Sequence, residues 1–237
     1  MRLFVSSAIN FLPDPVAYFL RRARFMVMER ERYHKFKELR EGLSDEGYTL
    51  KPFDDYECIF IHVPKCAGQS VRATLFKNLQ PGHINIYTYQ QIFPKRVFDR
   101  YFKFTFVRNP WDRLISAYLF MKSGGSHKKD FKWAQENIME YPDFSAFIRD
   151  GLRQKHILEW PHFRPQIEFL IDQFGKIGVD YIGRVESIQE DMGYIQQKLG
   201  LHKELLYINK TESKKSDYRT YYTEESQSIV GEVYQDD

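Results

Sequence analysis

Near its start the chain interleaves apolar and basic positions: Phe19, Leu20, Phe25, Met26 and Val27 fall among Arg21, Arg22, Arg24, Arg30 and Arg32. This spacing predicts a basic amphipathic helix over 16–40. The polar run 41–47 interrupts it, so residues 1–50 are expected to form a helical arm ahead of a domain spanning 51–237. Cys58-Ile59-Phe60-Ile61-His62-Val63 is a short apolar run closed by a turn, which reads as a buried parallel strand. A helix is expected to start in the following stretch, 71–76. The unit then recurs: 103–108 reads as a strand, Asn109-Pro110 breaks it, and Pro110 suits the first turn of a helix reaching Met121. Residues 123–129 read as a mobile loop, with short helices over 131–139 and 144–148. A third strand is expected at 181–185, then a helix capped by Ser187 and ended by Gly200. Thr223-Glu224-Glu225-Ser226 offers an N-cap and acidic first turn for a last helix. Strands alternating with helices predict an α/β fold of three layers, a central mostly parallel sheet flanked by helices.

A length of 237 residues suits one domain with an attached arm. A net charge of +3, from 35 basic and 32 acidic residues, is too balanced for a nucleic-acid binder, although it leaves room for a local anion site. Cys58 and Cys66 form no disulfide framework and lack partners at metal-ligand spacing, so a reducing, cytoplasmic compartment is expected. No run approaches the roughly 18 apolar residues of a membrane span. Met1 to Leu12 reads as neither signal peptide nor anchor. The basic arm has three uses open to it: peripheral contact with an anionic membrane, packing on its own domain, or contact with a second subunit in a homo-oligomer.

Two segments carry the chemistry. Pro64-Lys65-Cys66-Ala67-Gly68-Gln69-Ser70 joins a strand to a helix, where free backbone N–H groups and the helix dipole favour an anion. Gly68 lets backbone approach closely, Ser70 adds a hydroxyl, and Lys65 adds a full charge. Aligned with the nucleoside-triphosphate loop GxxxxGK[ST], the chain has Gln69 at the lysine position and Val63 at the first glycine. The expected fold is therefore P-loop-NTPase-like, while a triphosphate held with Mg²⁺ is disfavoured. The second segment is Arg108-Asn109-Pro110-Trp111-Asp112-Arg113-Leu114-Ile115-Ser116-Ala117-Tyr118. Arg108 would leave a strand end and Ser116 would face back from the following helix, so both can converge on one phosphate. Asp112 and Arg113 are expected to cap and pair around the helix start.

Both strings resemble the donor motifs of carbohydrate (membrane-type, Golgi-like) sulfotransferases and their bacterial relatives, written PKTGGTS and RNPxDRLxSAY. The pieces His162-Phe163-Arg164-Pro165-Gln166, Ile182-Gly183-Arg184-Val185-Glu186 and Tyr221-Tyr222-Thr223 resemble the same family. The first loop departs from the pattern at Cys66, Ala67 and Gln69. The resemblance implies a transferase that uses 3′-phosphoadenosine 5′-phosphosulfate (PAPS) as co-substrate, without a metal. It implies that the loop Pro64 to Ser70 holds the 5′-phosphosulfate, and Arg108 and Ser116 the 3′-phosphate. Lys65 would stabilise charge on the leaving phosphate. The acceptor would be a carbohydrate or another hydroxyl-bearing molecule. His83 stands where relatives often carry a histidine and is the first candidate for general base; His162 and carboxylates such as Glu168 remain alternatives, and His62 is assigned to the strand. Arg164 and Lys210 are further basic candidates for donor or acceptor contact. A nucleotide kinase-like P-loop protein and a catalytically idle nucleotide-binding relative are the competing readings.

Overall fold

The computed structural model describes residues 12–208 and 217–237; the sequence readings on residues 1–11 and on Lys210 lie outside them. The basic stretch forms two helices, α1 (Asp14–Met28) and α2 (Arg30–Glu41), because the chain leaves helical dihedrals at Glu29 (φ −120°, ψ 43°). After α3 (Lys51–Asp55) come β1 (Cys58–Ile61), α4 (Gly68–Leu75), α5 (Ile86–Ile92), α6 (Lys95–Arg100), β2 (Phe102–Val107) and α7 (Pro110–Lys122). The chain continues through α8 (Lys128–Asn137), α9 (Phe144–Ala146), α10 (Lys155–Glu159) and α11 (Ile167–Leu170). It ends with β3 (Tyr181–Arg184), α12 (Ile188–Leu199) and α13 (Glu224–Val233).

The three strands form a parallel sheet in the order β1-β2-β3, with Phe60 opposite Phe104 and Phe104 opposite Tyr181. Helices flank it, giving the expected α/β architecture. Every residue of β1 is buried, as a strand covered on both faces requires. Phe60 stacks on Phe104 at 5.2 Å, and Phe53, Phe76 and Phe93 fill the space around them. In β3 a side chain at Gly183 would come within 2.8 Å of the Phe106 ring, so strand and neighbour fit only with glycine there. Lys103, a buried lysine, is satisfied by the Tyr101 carbonyl at 2.7 Å and the Asp180 carboxylate at 2.9 Å, which ties β2 to the entry of β3.

A second apolar cluster forms around α7, where Leu114, Ile115, Tyr118 and Met121 meet Ile138, Phe147, Phe163 and Val230. β2 belongs to the sheet cluster and α7 to the helical one, so the short connection 108–109 crosses the seam between them. Phe25 of α1 and Phe36 and Leu39 of α2 join the sheet cluster, and the Tyr18 hydroxyl donates to the Gln90 carbonyl at 2.7 Å. The opposite face of α1 leaves Val16, Phe19 and Val27 exposed. Among the described residues, no helix is long and apolar enough to cross a membrane.

Two helix ends match their expected chemistry. Gly200 closes α12 at φ 65°, and Thr223 opens α13 in a capping box with Ser226. Ser187 differs: its hydroxyl donates to Asp191 at 2.7 Å instead of capping the backbone, because a 3₁₀ turn at Val185–Ser187 precedes α12. The loop expected at 123–129 is cut short, since α8 already begins at Lys128.

Truncating Phe104, which is fully buried, is expected to cost about 3–5 kcal/mol, the range for a large aromatic removed from a packed core. Phe19→Ser, at a position 70% exposed, should stay within about 0.5 kcal/mol of the parent. Urea denaturation of the two variants tests this contrast.

Candidate active site

The connection between β1 and α4 takes its shape from two residues in left-handed conformation, Lys65 at φ 67° and Ala67 at φ 55°. Alternating handedness turns successive backbone N–H groups toward one side, and this concavity runs into the free N–H groups at the start of α4. A Cβ at Gly68 would lie 1.9 Å from the His62 ring, so glycine is required because a histidine fills that space. Within the loop Pro64, Cys66, Gly68 and Ser70 are buried, Lys65 and Ala67 are partly open, and Gln69 is exposed.

The second segment lies alongside. Arg108 follows β2, and Asn109 caps α7 by accepting from the backbone N–H groups of Trp111 at 3.1 Å and Asp112 at 3.3 Å. Arg108 pairs with Asp112 through Nε at 2.6 Å and donates from Nη1 to the Lys65 carbonyl at 3.2 Å. Arg113 does not pair with Asp112 as expected. It is 2% exposed and donates to two carbonyls, Pro64 at 3.0 Å and Arg164 at 2.8 Å. Gln166 completes the link: its Oε1 accepts from the Arg108 N–H at 3.0 Å and the Cys66 thiol at 3.1 Å, while its Nε2 donates to the Arg108 carbonyl at 2.9 Å. Burial pushes the Cys66 thiol up to about 12, so it stays a protonated donor. The roles of Arg113 and Gln166 were missed at the sequence level. Gln166 did carry a signal, as the last residue of the His162-to-Gln166 string.

Lys65 sits with its ammonium 4.1 Å from the centre of the Phe120 ring and has no carboxylate partner among the described residues. Burial, and then the neighbouring Arg108, lower its pKa from the usual lysine value to about 8. Ser116 is buried on α7. The Ser70 hydroxyl accepts the Ile208 N–H at 3.0 Å, and Thr74 accepts the Leu206 N–H at 3.0 Å, so α4 holds the end of the irregular segment 201–208 against itself.

Three histidines gather beside Lys65. The His62 and His83 rings are 4.6 Å apart, His83 and His162 are 5.4 Å apart, and His162 packs on Phe120 at 4.9 Å. His83 Nδ1 lies 3.2 Å from the His62 carbonyl, which fixes the proton on Nδ1 and leaves the Nε2 lone pair free. Burial is the main cause that lowers His83 to about 4, and it also holds His62 and His162 well below the ordinary histidine value. Among the described residues no group of three His, Cys, Asp or Glu side chains is arranged to hold a metal ion. Glu168 stands apart from this cluster and faces Arg164 at 3.6 Å, and the Arg164 guanidinium also donates to the Glu159 carbonyl.

Next to Arg108, at the C-terminal ends of β2 and β3, opens a cavity of about 560 Å³ with apolar walls of Leu170, Ile177 and Ile182 and a polar edge of mixed charge, Arg108 and Arg184 with Glu186, Asp236 and Asp237. Ligands of open α/β sheets bind in this kind of crevice.

A family sequence model described as "Sulfotransferase family" matches residues 49–237. An uncharacterized protein from Archaeoglobus fulgidus is 30% identical over 111 residues, covering 47% of this chain and 78% of its own length. Human carbohydrate sulfotransferase 9 is 27% identical over 146 residues, covering 52% of this chain and 30% of the human protein. No solved structure matches.

Arg113→Met keeps the length and apolar stem of the side chain but leaves the Pro64 and Arg164 carbonyls without their donors. At about 1–3 kcal/mol for each buried unpaired group, a loss of roughly 2–6 kcal/mol is expected by chemical denaturation.

Proposed function

Because the chain belongs to the sulfotransferase family, we propose that it transfers a sulfuryl group from PAPS to a hydroxyl of a carbohydrate acceptor. The observation that carries this reading is the 3.2 Å contact from Arg108 Nη1 to the Lys65 carbonyl. It sets the two anion-seeking segments side by side, within the span of one nucleotide that bears phosphate groups at both ends. Two features favour that ligand. The loop around Lys65 turns N–H groups toward one side, and among the described residues Lys65 has no carboxylate partner. The human relative's name supports a carbohydrate acceptor. So does the partly exposed stacked pair Trp133 and Trp160, 4.5 Å apart, since aromatic faces suit the apolar face of a sugar ring.

In the proposed reaction the acceptor oxygen bonds to sulfur as the bond from sulfur to the 5′-phosphate oxygen breaks. The products are a sulfate ester and adenosine 3′,5′-bisphosphate. Lys65 meets the charge that develops on the departing phosphate. Arg108 and Ser116 hold the far phosphate and so fix the register of the donor. His83 Nε2 takes the acceptor proton. A base held at about 4 is weak, but the sulfate brought in by the donor raises it toward neutrality, where proton transfer is most effective.

Incubation with labelled PAPS and a glycan panel, read by mass spectrometry, should give labelled sulfate esters. Lys65→Ala and Arg108→Ala should each reduce turnover at least about 10²-fold, the scale of one lost charge-stabilising donor. Wild-type turnover in both variants, or tight ATP–Mg²⁺ binding with no response to adenosine 3′,5′-bisphosphate, contradicts the proposal.

A pH dependence follows from Lys65. An anion at its ammonium favours the protonated form, so the complex raises the lysine above its free value of about 8. Above pH 8 binding must then take up a proton. Calorimetry with adenosine 3′,5′-bisphosphate should show flat affinity below pH 8 and a fall of up to about tenfold per pH unit above it, absent in Lys65→Met.

A further inference from the structure

We propose that Thr74 is a positioning residue: with Ser70 it forms a two-hydroxyl latch on α4 that couples anion binding in the Lys65 loop to the anchoring of segment 201–208. The proposal deepens the donor reading and rests on it for the identity of the ligand, while the latch itself is drawn from hydrogen bonds. The segment runs opposite in direction to α4. Lys203 Nζ donates to the Leu75 carbonyl at 2.9 Å, the Leu206 N–H to the Thr74 hydroxyl at 3.0 Å and the Ile208 N–H to the Ser70 hydroxyl at 3.0 Å. As the chain advances from 203 to 208, its partners step back from the last residue of the helix to the first turn, so the segment is laid toward the donor loop. The spacing fits. Hydroxyls four residues apart stand on one face of a helix, about 6 Å apart along its axis. N–H groups two residues apart in a drawn-out chain repeat at about 6.6 Å. Two buried hydroxyls on a helix thus take the place of a strand edge.

The two ends of the segment are held differently. Leu201 and Leu205 pack on the sheet cluster, and Gln196 of α12 brackets Lys203, its Nε2 donating to the Lys203 carbonyl at 2.9 Å and its Oε1 accepting the Lys203 N–H. Beyond Leu205 the side chains of Leu206, Tyr207 and Ile208 are exposed, and the backbone is tied by the two hydroxyls. The Tyr207 side chain adds one tie, its hydroxyl accepting from Gln189 Nε2 at 2.9 Å. An end tied by so few bonds opens locally at little cost. Ser70 is the rung that belongs to the donor loop as well. A serine hydroxyl has one proton and two lone pairs, and one lone pair takes the Ile208 N–H. The acceptor near its proton is the Ile208 carbonyl at 3.5 Å, too far for a strong bond. A ligand oxygen in the loop can take that proton, which polarises the hydroxyl and strengthens its hold on the Ile208 N–H. Filling the loop therefore tightens the latch, and by linkage a closed latch raises affinity for the ligand by the same factor. Thr74 stands one turn away and acts only through the segment, by keeping the Ile208 N–H in register with Ser70.

The test follows amide hydrogen exchange at Leu206 and Ile208 by NMR, in the free protein and saturated with inorganic pyrophosphate or adenosine 3′,5′-bisphosphate, with affinities from calorimetry. In the parent, saturation should slow exchange at both amides at least about fivefold, the lower end of ordinary coupling between sites. The Lys203 amide, held by Gln196 and not by α4, should change less than about twofold. Thr74→Val keeps the shape and removes the acceptor. It should lower protection of both amides in the free protein and weaken both anions, by up to the factor with which saturation protects Ile208 in the parent. Thr74→Ser, which returns the hydroxyl, should restore protection and affinity. Unchanged affinity in folded Thr74→Val with loosened amides marks a merely structural contact and overturns the coupling, as does parent exchange that neither anion alters. If Thr74→Val does not fold, the parent exchange measurement decides alone. Protection by pyrophosphate in a protein that transfers no sulfate supports the latch and overturns the proposed function instead.

Discussion

Two guanidinium groups from one segment hold the backbone of another. Arg108 donates to the Lys65 carbonyl and Arg113 to the Pro64 carbonyl, while Gln166 grips both faces of the Arg108 peptide and the Cys66 thiol. Left to itself the loop would not adopt this shape, because each non-glycine residue in left-handed conformation costs about 1–2 kcal/mol. Lys65 and Ala67 both stand there. The strain persists because bonds from outside the loop over-determine it. The position of Lys65 over Phe120, the space His62 fills against Gly68 and the approach of Arg108 all follow from that constraint.

The same seam sets the electrostatics. Among the described residues Arg113 is satisfied by carbonyls and not by carboxylates, so it contributes structure without neutralising its charge. Asp112 is engaged by Arg108, and Lys65 is left with an aromatic face. A low-dielectric pocket with surplus positive charge is costly unless an anion enters it. Burial acts in opposite senses on the groups that share the seam. It brings Lys65 close to giving up its proton, and it keeps His83, His62 and His162 neutral with free lone pairs. One environment therefore lowers the proton affinity of both Lys65 and His83, and a bound polyanion would raise both again.

All three strands begin and end within two residues of their expected places; β1 and β2 were legible because buried parallel strands read as short apolar runs closed by turns, whereas β3 is buried only at Gly183. The helices with strong punctuation, α7 behind Asn109-Pro110, α12 before Gly200 and α13 behind Thr223, were legible for the same reason. The short helices α3, α5, α6, α10 and α11 were not. They run only 4 to 7 residues, too few for a periodicity, and depend on packing. The break at Glu29 was equally hidden, since no glycine or proline marks it. In the candidate site, the two strings named Lys65 and Arg108, whose segments meet in the structure, while His83 came from the resemblance alone. Arg113 was misread because its partners are backbone carbonyls, which leave no trace in residue identity. His62 was assigned to the strand, and its position at the strand end is what brings it to Gly68.

The departures of the first loop from the family pattern acquire a physical meaning in this frame. Where relatives carry glycine this chain has Ala67 at φ 55°, a conformation in which glycine would be unstrained. Cys66 turns inward to Gln166, Gln69 faces solvent, and the Ser70 hydroxyl is engaged by the Ile208 N–H. The side-chain hydroxyls that relatives place along the loop are thus either absent or committed to holding segment 201–208. What the loop still offers an anion is its backbone N–H groups, Lys65 and the proton of the Ser70 hydroxyl. Recognition built that way would depend on loop shape more than on side-chain identity, and that shape is held from outside the loop, by Arg113 and Gln166 far away in sequence and by His62 just before it.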